Sequence, residues 1–275
     1  MTSTSKKVEG FHRLSTLWRI DYDVEALEPI LTRAAYEEAK EEVADLLDKT
    51  LPKPELDAVP LFIGDKAVIT GNAVKGIFRH IISAQLTEAG KQVCVQEVKL
   101  REGVRAEELG RVKGCGPDNP CYVCKWFGTA GRQGALYFSM LISKGSGRDV
   151  LAAEPIPMVA LGEDTNALIA EKGKGKFALL APVKEGTVFS GWITGDNLEE
   201  DIIGAFKEVQ DMSERGFLKL GGFKTRGFGS AKIVIKCVEK YRATPFILEK
   251  KYEGKELIDF LARCQEAYRK LLTVV

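Results

Sequence analysis

Gly221-Gly222-Phe223-Lys224-Thr225-Arg226-Gly227-Phe228-Gly229 is the stretch on which the reading of this chain turns. Four glycines in nine residues let the backbone come within hydrogen-bonding reach of a bulky partner, and Lys224 and Arg226 are available for phosphates. Phe223 and Phe228 are placed to stack on bases, although a tight connection with inward-packed aromatics would use the same residues. The spacing matches neither Gly-x-x-x-x-Gly-Lys-Ser/Thr nor a dinucleotide fingerprint behind a strand, so no nucleotide site is implied. Position makes the loop informative. An amphipathic helix marked by Ile202, Phe206, Val209 and Met212, capped near Asp196 or Asn197, precedes it, and an alternating strand over 231–238 follows.

Outward toward the N-terminus, Ile69-Thr70-Gly71-Asn72-Ala73-Val74-Lys75-Gly76-Ile77-Phe78-Arg79 sets a glycine turn before a helical stripe of Val74, Ile77, Phe78, Ile81, Ile82 and Leu86. Asn72 can cap that helix, and Lys75 and Arg79 lie one turn apart off the stripe. Free N–H groups at such a helix start attract an anion, and the two cations strengthen the site; two solvated basic residues on a surface helix are the plain alternative. Earlier still, 13–24 alternates as a strand, 32–47 is an acidic amphipathic helix capped by Thr32, and 56–69 passes through an irregular stretch into a β-like run. Downstream, 135–142 and 186–194 read as strands and 167–183 as a hairpin about Gly173-Lys174-Gly175. Leu257, Leu261, Cys264, Tyr268 and Leu271 give a C-terminal helix. The class is α+β, and the coarse order of elements is that of a βαββαβ unit.

Residues 94–134 lack periodicity and carry three crowded cysteines, Cys115, Cys121 and Cys124, spaced C-x5-C-x2-C. That spacing reads as a metal knuckle, with Cys94 the natural fourth ligand and His80 the second choice. Four protein ligands leave no position open for water, so a zinc ion there would be structural. Cys237 and Cys264 fall in a strand and a helix and read as buried residues.

Composition limits the function classes. A chain of 275 residues with 45% apolar side chains can bury a core. No apolar run is long enough to span a membrane, and 1–10 is polar, so a cytoplasmic protein is expected. A formal net charge of +1 argues neither for nor against a nucleic-acid partner, but 23–48 is acidic while Lys172, Lys174, Lys176, Lys224, Arg226 and Lys232 sit among few acids. With only His12 and His80, no H-E-x-x-H and no Gly-x-Ser-x-Gly, any catalysis must rest on carboxylates.

Three segments, in this order, resemble signatures of the RAMP superfamily: 69–79 its helix start, Cys121-Tyr122-Val123-Cys124-Lys125-Trp126-Phe127-Gly128 its Cys-x-x-Cys-x-x-Phe-Gly segment, and 221–229 its glycine-rich loop. Thr70, Asn72 and Ala73 depart from the family's usual Pro, Ser and Ser. The resemblance implies a single domain over 1–275 with a ferredoxin-like, RNA-recognition-type core, a zinc-knuckle insertion over 94–134 and a thumb β-hairpin over 163–183. It further implies a guide-RNA-binding backbone subunit of a type III CRISPR effector complex. Its partners would be guide crRNA, target RNA and other effector subunits, including copies or paralogues of itself. Asn72, Lys75, Arg79, Lys172, Lys174, Lys176, Gly222, Lys224 and Arg226 would contact RNA, and Cys94, Cys115, Cys121 and Cys124 would hold Zn²⁺. Asp57, followed by Ala58-Val59-Pro60, lies where family members that cut target RNA carry a Mg²⁺-assisted aspartate, with Asp65 as a competitor. A scaffold subunit without cleavage, a guide-processing endoribonuclease and a free-standing zinc-containing RNA-binding protein are the alternatives; the scarcity of histidine argues against the second.

Overall fold

The computed structural model describes residues 14–32, 37–47, 55–94, 115, 120–129, 132–159, 170–171, 174–175 and 177–273. The first strand, β1 (Thr16–Ala26), buries Trp18, Ile20, Tyr22, Val24 and Ala26 on one face, as its alternation requires. Helix α1 (Glu37–Leu46) and the hairpin β2 (Leu61–Ile63) and β3 (Lys66–Ile69) lead into α2 (Gly71–Glu88). A short helix α3 (Tyr122–Phe127) is followed by β4 (Leu136–Phe138), β5 (Leu141–Ser143) and β6 (Ile156–Val159). Next come β7 (Ala170–Glu171), β8 (Lys174–Gly175), β9 (Phe177–Leu180) and β10 (Val188–Asp196). The chain closes with α4 (Glu200–Glu214), β11 (Ala231–Arg242), β12 (Ile247–Tyr252) and α5 (Gly254–Thr273).

The main sheet is antiparallel, ordered β12-β11-β1-β10-β5-β3-β2, with β4 also pairing β10. Its centre, β11-β1-β10-β4, is the arrangement produced when two strand–helix–strand units interlock, with α2 and α4 as the two helices. Both helices cover the face that holds Trp18 and Ile20. Phe78 of α2 meets Phe206 of α4 edge-on at 5.0 Å, and Phe138 of β4 lies against both rings. Phe260 of α5 stacks on Trp18 and on Tyr252 at 3.9 Å, extending the same layer. Each such side chain, fully buried, contributes about 1.5–3 kcal/mol. A smaller cluster joins Val43 and Ala44 of α1 to Val59, Leu151 and Ala181.

Several expected boundaries moved. Thr70, not Asn72, caps α2: its hydroxyl accepts from the Ala73 N–H at 3.3 Å, and Asn72 is an exposed residue inside the helix. Neither Asp196 nor Asn197 caps α4, which begins at Glu200. Asn197 instead takes a left-handed conformation and accepts from the N–H groups of Ser15 and Thr16, tying the end of β10 to the start of β1. The 135–142 run divides into β4 and β5 because Ser139 turns inward, its Oγ accepting from the Trp192 N–H. A bulge opposite Asp21 and Tyr22 leaves Lys236 out of register, which carries Cys237 to the helix-free face while Val238 returns to the core. Cys237 and Cys264 are both buried.

Candidate nucleic-acid interface and metal centre

The glycine-rich loop stands on a short stem. Leu220 donates to the Gly229 carbonyl at 2.7 Å and Ala231 to that of Leu218 at 3.2 Å, with Lys219 bridged to Ser230 between them. Glu28 braces the stem by accepting from Lys219 Nζ at 2.6 Å and from the Ser230 N–H at 3.0 Å. The bond to Lys219 is the main reason its carboxyl sits below the ordinary range. Gly221 and Gly229 are structural: both have positive φ, and a Cβ would stand 2.5 Å from the Leu31 carbonyl oxygen in one case and 2.3 Å from that of Leu220 in the other. The Gly222 N–H is engaged by Leu31 O at 2.9 Å. Phe228 is buried, with half-buried Phe223 against it, so Phe228 is not free to stack on a base. Lys224 and Arg226 are exposed and make no ion pair among the described residues.

Phe228 belongs to a cluster that reaches far along the chain. Leu31, Ala58 and Leu180 are its other buried members, with Ile156, Met158, Ala178 and Phe223 around them. β6 and β9 form a ladder there, so the paired segment begins at Ile156, ahead of the 163–183 hairpin expected from sequence. β7 pairs with β8 farther out; Lys174 lies on β8, while Lys172 and Lys176 fall outside the described residues. Asp57 sits at the root of this ladder. Its N–H donates to Leu179 O at 2.9 Å, and its carboxylate Oδ2 accepts from the Leu179 N–H at 2.6 Å. One oxygen is thereby fixed while the side chain remains exposed. Asp65 is elsewhere, in the β2–β3 turn, where its carbonyl accepts from Gly147.

At the start of α2, Gly71 abuts β4 so closely that a Cβ would lie 2.4 Å from the Phe138 carbonyl oxygen. Lys75 and Arg79 have no carboxylate partner among the described residues. Burial, and secondarily the charge of Arg79, hold the Lys75 ammonium below its ordinary pKa. A phosphate between the two would relieve that repulsion. Replacing both by alanine is expected to weaken binding of single-stranded RNA and to flatten the plot of log affinity against log salt by roughly 0.7 for each phosphate no longer neutralised. An unchanged slope in a salt titration would remove these residues from the interface.

Four sulfurs converge at the other end of α2. Those of Cys94, Cys115, Cys121 and Cys124 all lie within 4.8 Å of one another, with Cys94 and Cys124 at 3.0 Å. Thiolates around one zinc stand roughly 3.8 Å apart, given bonds of about 2.3 Å, so the donor set fits such an ion and the four cysteines can hold a metal such as zinc. His80 is exposed on α2 and outside the cluster. Burial, aided by the hydrogen bond to Cys124, pushes the Cys94 thiol up to about 12; burial also raises Cys124. Cys121 feels the same desolvation, but hydrogen bonds at the backbone of Cys94 and Cys124 outweigh it and bring that thiol down to about 7. α3 holds the cluster to the core by burying Val123, Trp126 and Phe127.

A model of the RAMP superfamily matches residues 23–232, which includes the end of β1, Asp57, α2, the cysteine cluster and the glycine-rich loop. The chain belongs to the RAMP superfamily. Proteins of this family bind crRNA and other CRISPR subunits, so the RAMP assignment points to a CRISPR-associated RNA-binding subunit. No curated protein matched the chain. Among the described residues, no helix is long and apolar enough to cross a membrane. In this RAMP chain, β12 and α5 lie beyond the matched region; the sequence pattern announced α5 but not β12. Sequence reasoning also missed Glu28, whose partner Lys219 is 191 residues away; an isolated glutamate in a linker carries no local signal.

Proposed function

We propose that this RAMP chain is a backbone subunit of a cytoplasmic type III CRISPR effector complex. A ferredoxin-like core holds guide RNA, and complementary target RNA is cut beside Asp57. The observation that carries the reading is the convergence of Asp57, the root of the β6–β9 ladder and the glycine-rich loop on one apolar cluster. A hairpin rooted there can wedge between guide and target strands. Guide pairing would then supply specificity, with the protein contacting RNA backbone.

The chemistry would be in-line attack of a 2′-hydroxyl on the adjacent phosphodiester, breaking the P–O5′ bond to leave a 2′,3′-cyclic phosphate and a 5′-hydroxyl, the 2′-proton passing to solvent and a solvent proton to the leaving oxygen. Mg²⁺ bound during the reaction would neutralise developing charge, and a single carboxylate would need phosphate oxygens to complete its ligand set. Asp57 suits the part because Leu179 fixes one oxygen and the exposed side chain can present the other. The four-cysteine centre would hold structural Zn²⁺ apart from the reaction.

The test is a cleavage assay on the assembled ribonucleoprotein with labelled target RNA and Mg²⁺. Asp57→Asn keeps an oxygen for Leu179 and removes the charge, and it is expected to reduce regularly spaced cuts by about 100-fold or more while guide binding persists. A second reading, a scaffold without cleavage, is favoured by the same hydrogen bond, because it already gives Asp57 a structural task. Under that reading the complex binds target without regular cuts, or makes cuts indifferent to Asp57→Asn, and Asp57→Ala costs only about 1 kcal/mol of stability.

A further inference from the structure

We infer that Phe217 is the aromatic contact for a base of single-stranded RNA, and that the carboxylate-lined centre of the open sheet face around Trp192 is not the RNA platform. This rests on the RNA-binding reading above and names a residue within it.

The open face has a prominent aromatic, Trp192, but its surroundings are unsuited to phosphates. β1 presents Asp21, Asp23 and Glu25 along the centre of that face. Trp192 lies opposite Asp21 and is already covered by the Arg19 guanidinium, 4.7 Å from its ring centroid, with Arg19 paired to Asp21. Asp23 is held by Lys144 and Ser190. A row of carboxylates on the central strand repels a phosphodiester chain; Arg19 is already paired with Asp21, and Lys232 and Lys236 stand against Glu25 and Asp23.

The loop end is different. In the stem, Leu218 and Leu220 turn inward, so alternation sends Phe217 and Lys219 to the other side. Lys219 reaches Glu28, whereas Phe217 is 71% exposed, the most exposed large apolar side chain among the described residues. Phe246, nearly as exposed, is stacked on Tyr241; no ring covers Phe217 among the described residues. Continuing the Lys219–Ser230 register sets Phe217 opposite Lys232, itself opposite Glu25, so the ring stands at the outer edge of the open face, beyond the row of carboxylates. Arg215, two residues before the ring, and Lys224 and Arg226, in the loop after the stem, are exposed and make no ion pair among the described residues. The stem places Phe217 within roughly 13 Å of the loop's start at about 3.3 Å per residue, so a strand held by Lys224 and Arg226 can reach the ring. Stacking accepts any base, as a surface without sequence preference requires.

The experiment is a fluorescence-anisotropy titration of the full chain with a short fluorescein-labelled single-stranded RNA. Phe217→Ala is expected to weaken binding about tenfold with the salt slope unchanged, because stacking releases no counterions. Phe217→Trp should keep wild-type affinity, and RNA should quench the introduced indole. Trp192→Ala should bind as the wild type does. Equal affinity of Phe217→Ala and wild type, or a larger loss in Trp192→Ala, overturns the inference while leaving RNA binding intact. A wild-type chain that fails to bind the RNA overturns the RNA-binding reading, and this inference with it.

Discussion

Cys124→Ser is expected to abolish stoichiometric zinc and to unfold the region around α3. Serine occupies nearly the same space but supplies no thiolate, and a structural zinc site at neutral pH contributes on the order of 10 kcal/mol of apparent binding free energy. Little of that can be replaced locally, since Cys124 is fully buried and its neighbours Val123, Trp126 and Phe127 belong to the main core. Elemental analysis of the wild type should return about one zinc per chain. A strong chelator should lower its thermal midpoint to that of the variant. Metal content at background, with melting indifferent to chelator, would show the cluster to be four thiols packed together. The pH dependence has a definite sign. Binding zinc expels the thiol protons, and Cys94, raised to about 12, and Cys124, also raised, still carry theirs at neutral pH, while Cys121 at about 7 is half ionised. Zinc retention should therefore weaken as pH falls through 7, because the proton on Cys121 then joins those on Cys94 and Cys124 in competing with the metal.

Gly204→Ala separates two accounts of α4 by the sign of its effect. On an ordinary helix, alanine in place of glycine stabilises by about 1 kcal/mol. Here a Cβ at Gly204 would lie 2.0 Å from the Cys264 carbonyl oxygen and 2.4 Å from its carbon, so the obstacle is the backbone of α5 and cannot rotate away. The two helices must part. They are also joined by Gln265, whose amide donates to Glu208 and Asp211, and by Arg263 paired with Glu200, so separation loosens several interactions together. A net loss of about 2–4 kcal/mol is expected, read as a lower denaturation midpoint with unchanged m-value. A raised midpoint would mean that α4 and α5 do not touch through their backbones.

The candidate site was unevenly legible. Cys115, Cys121 and Cys124 stood out because ligand spacing is local, and Cys94 was the natural fourth although it lies 21 residues ahead of Cys115. Lys75 and Arg79 were visible because helical periodicity fixes which residues share a face. The glycine-rich loop was located correctly but its glycines were credited with too much: Gly221 and Gly229 answer to carbonyls at Leu31 and Leu220, and Phe228 to a core no local pattern could reveal. Asn72 and Asn197 illustrate the same limit. Each has the composition of a cap, but tertiary hydrogen bonding gave the cap of α2 to Thr70 and set Asn197 to join β10 to β1.

Local patterns in the chain were enough for the α+β class, the order of the main strands and helices, the core faces of α2 and α4, and the three motifs that lead to the RAMP superfamily. All of these depend on residues within one or two turns of each other, where φ/ψ preference and side-chain period act directly. It took the closed fold to establish that Asp57 is anchored by Leu179, that Glu28 braces the loop across the molecule, that β12 and α5 complete the sheet and helix layer, and that Phe217 remains uncovered while Trp192 does not. Those outcomes depend on pairings between segments distant in sequence. Register, bulges and competition for each carbonyl are settled there only when the chain closes on itself.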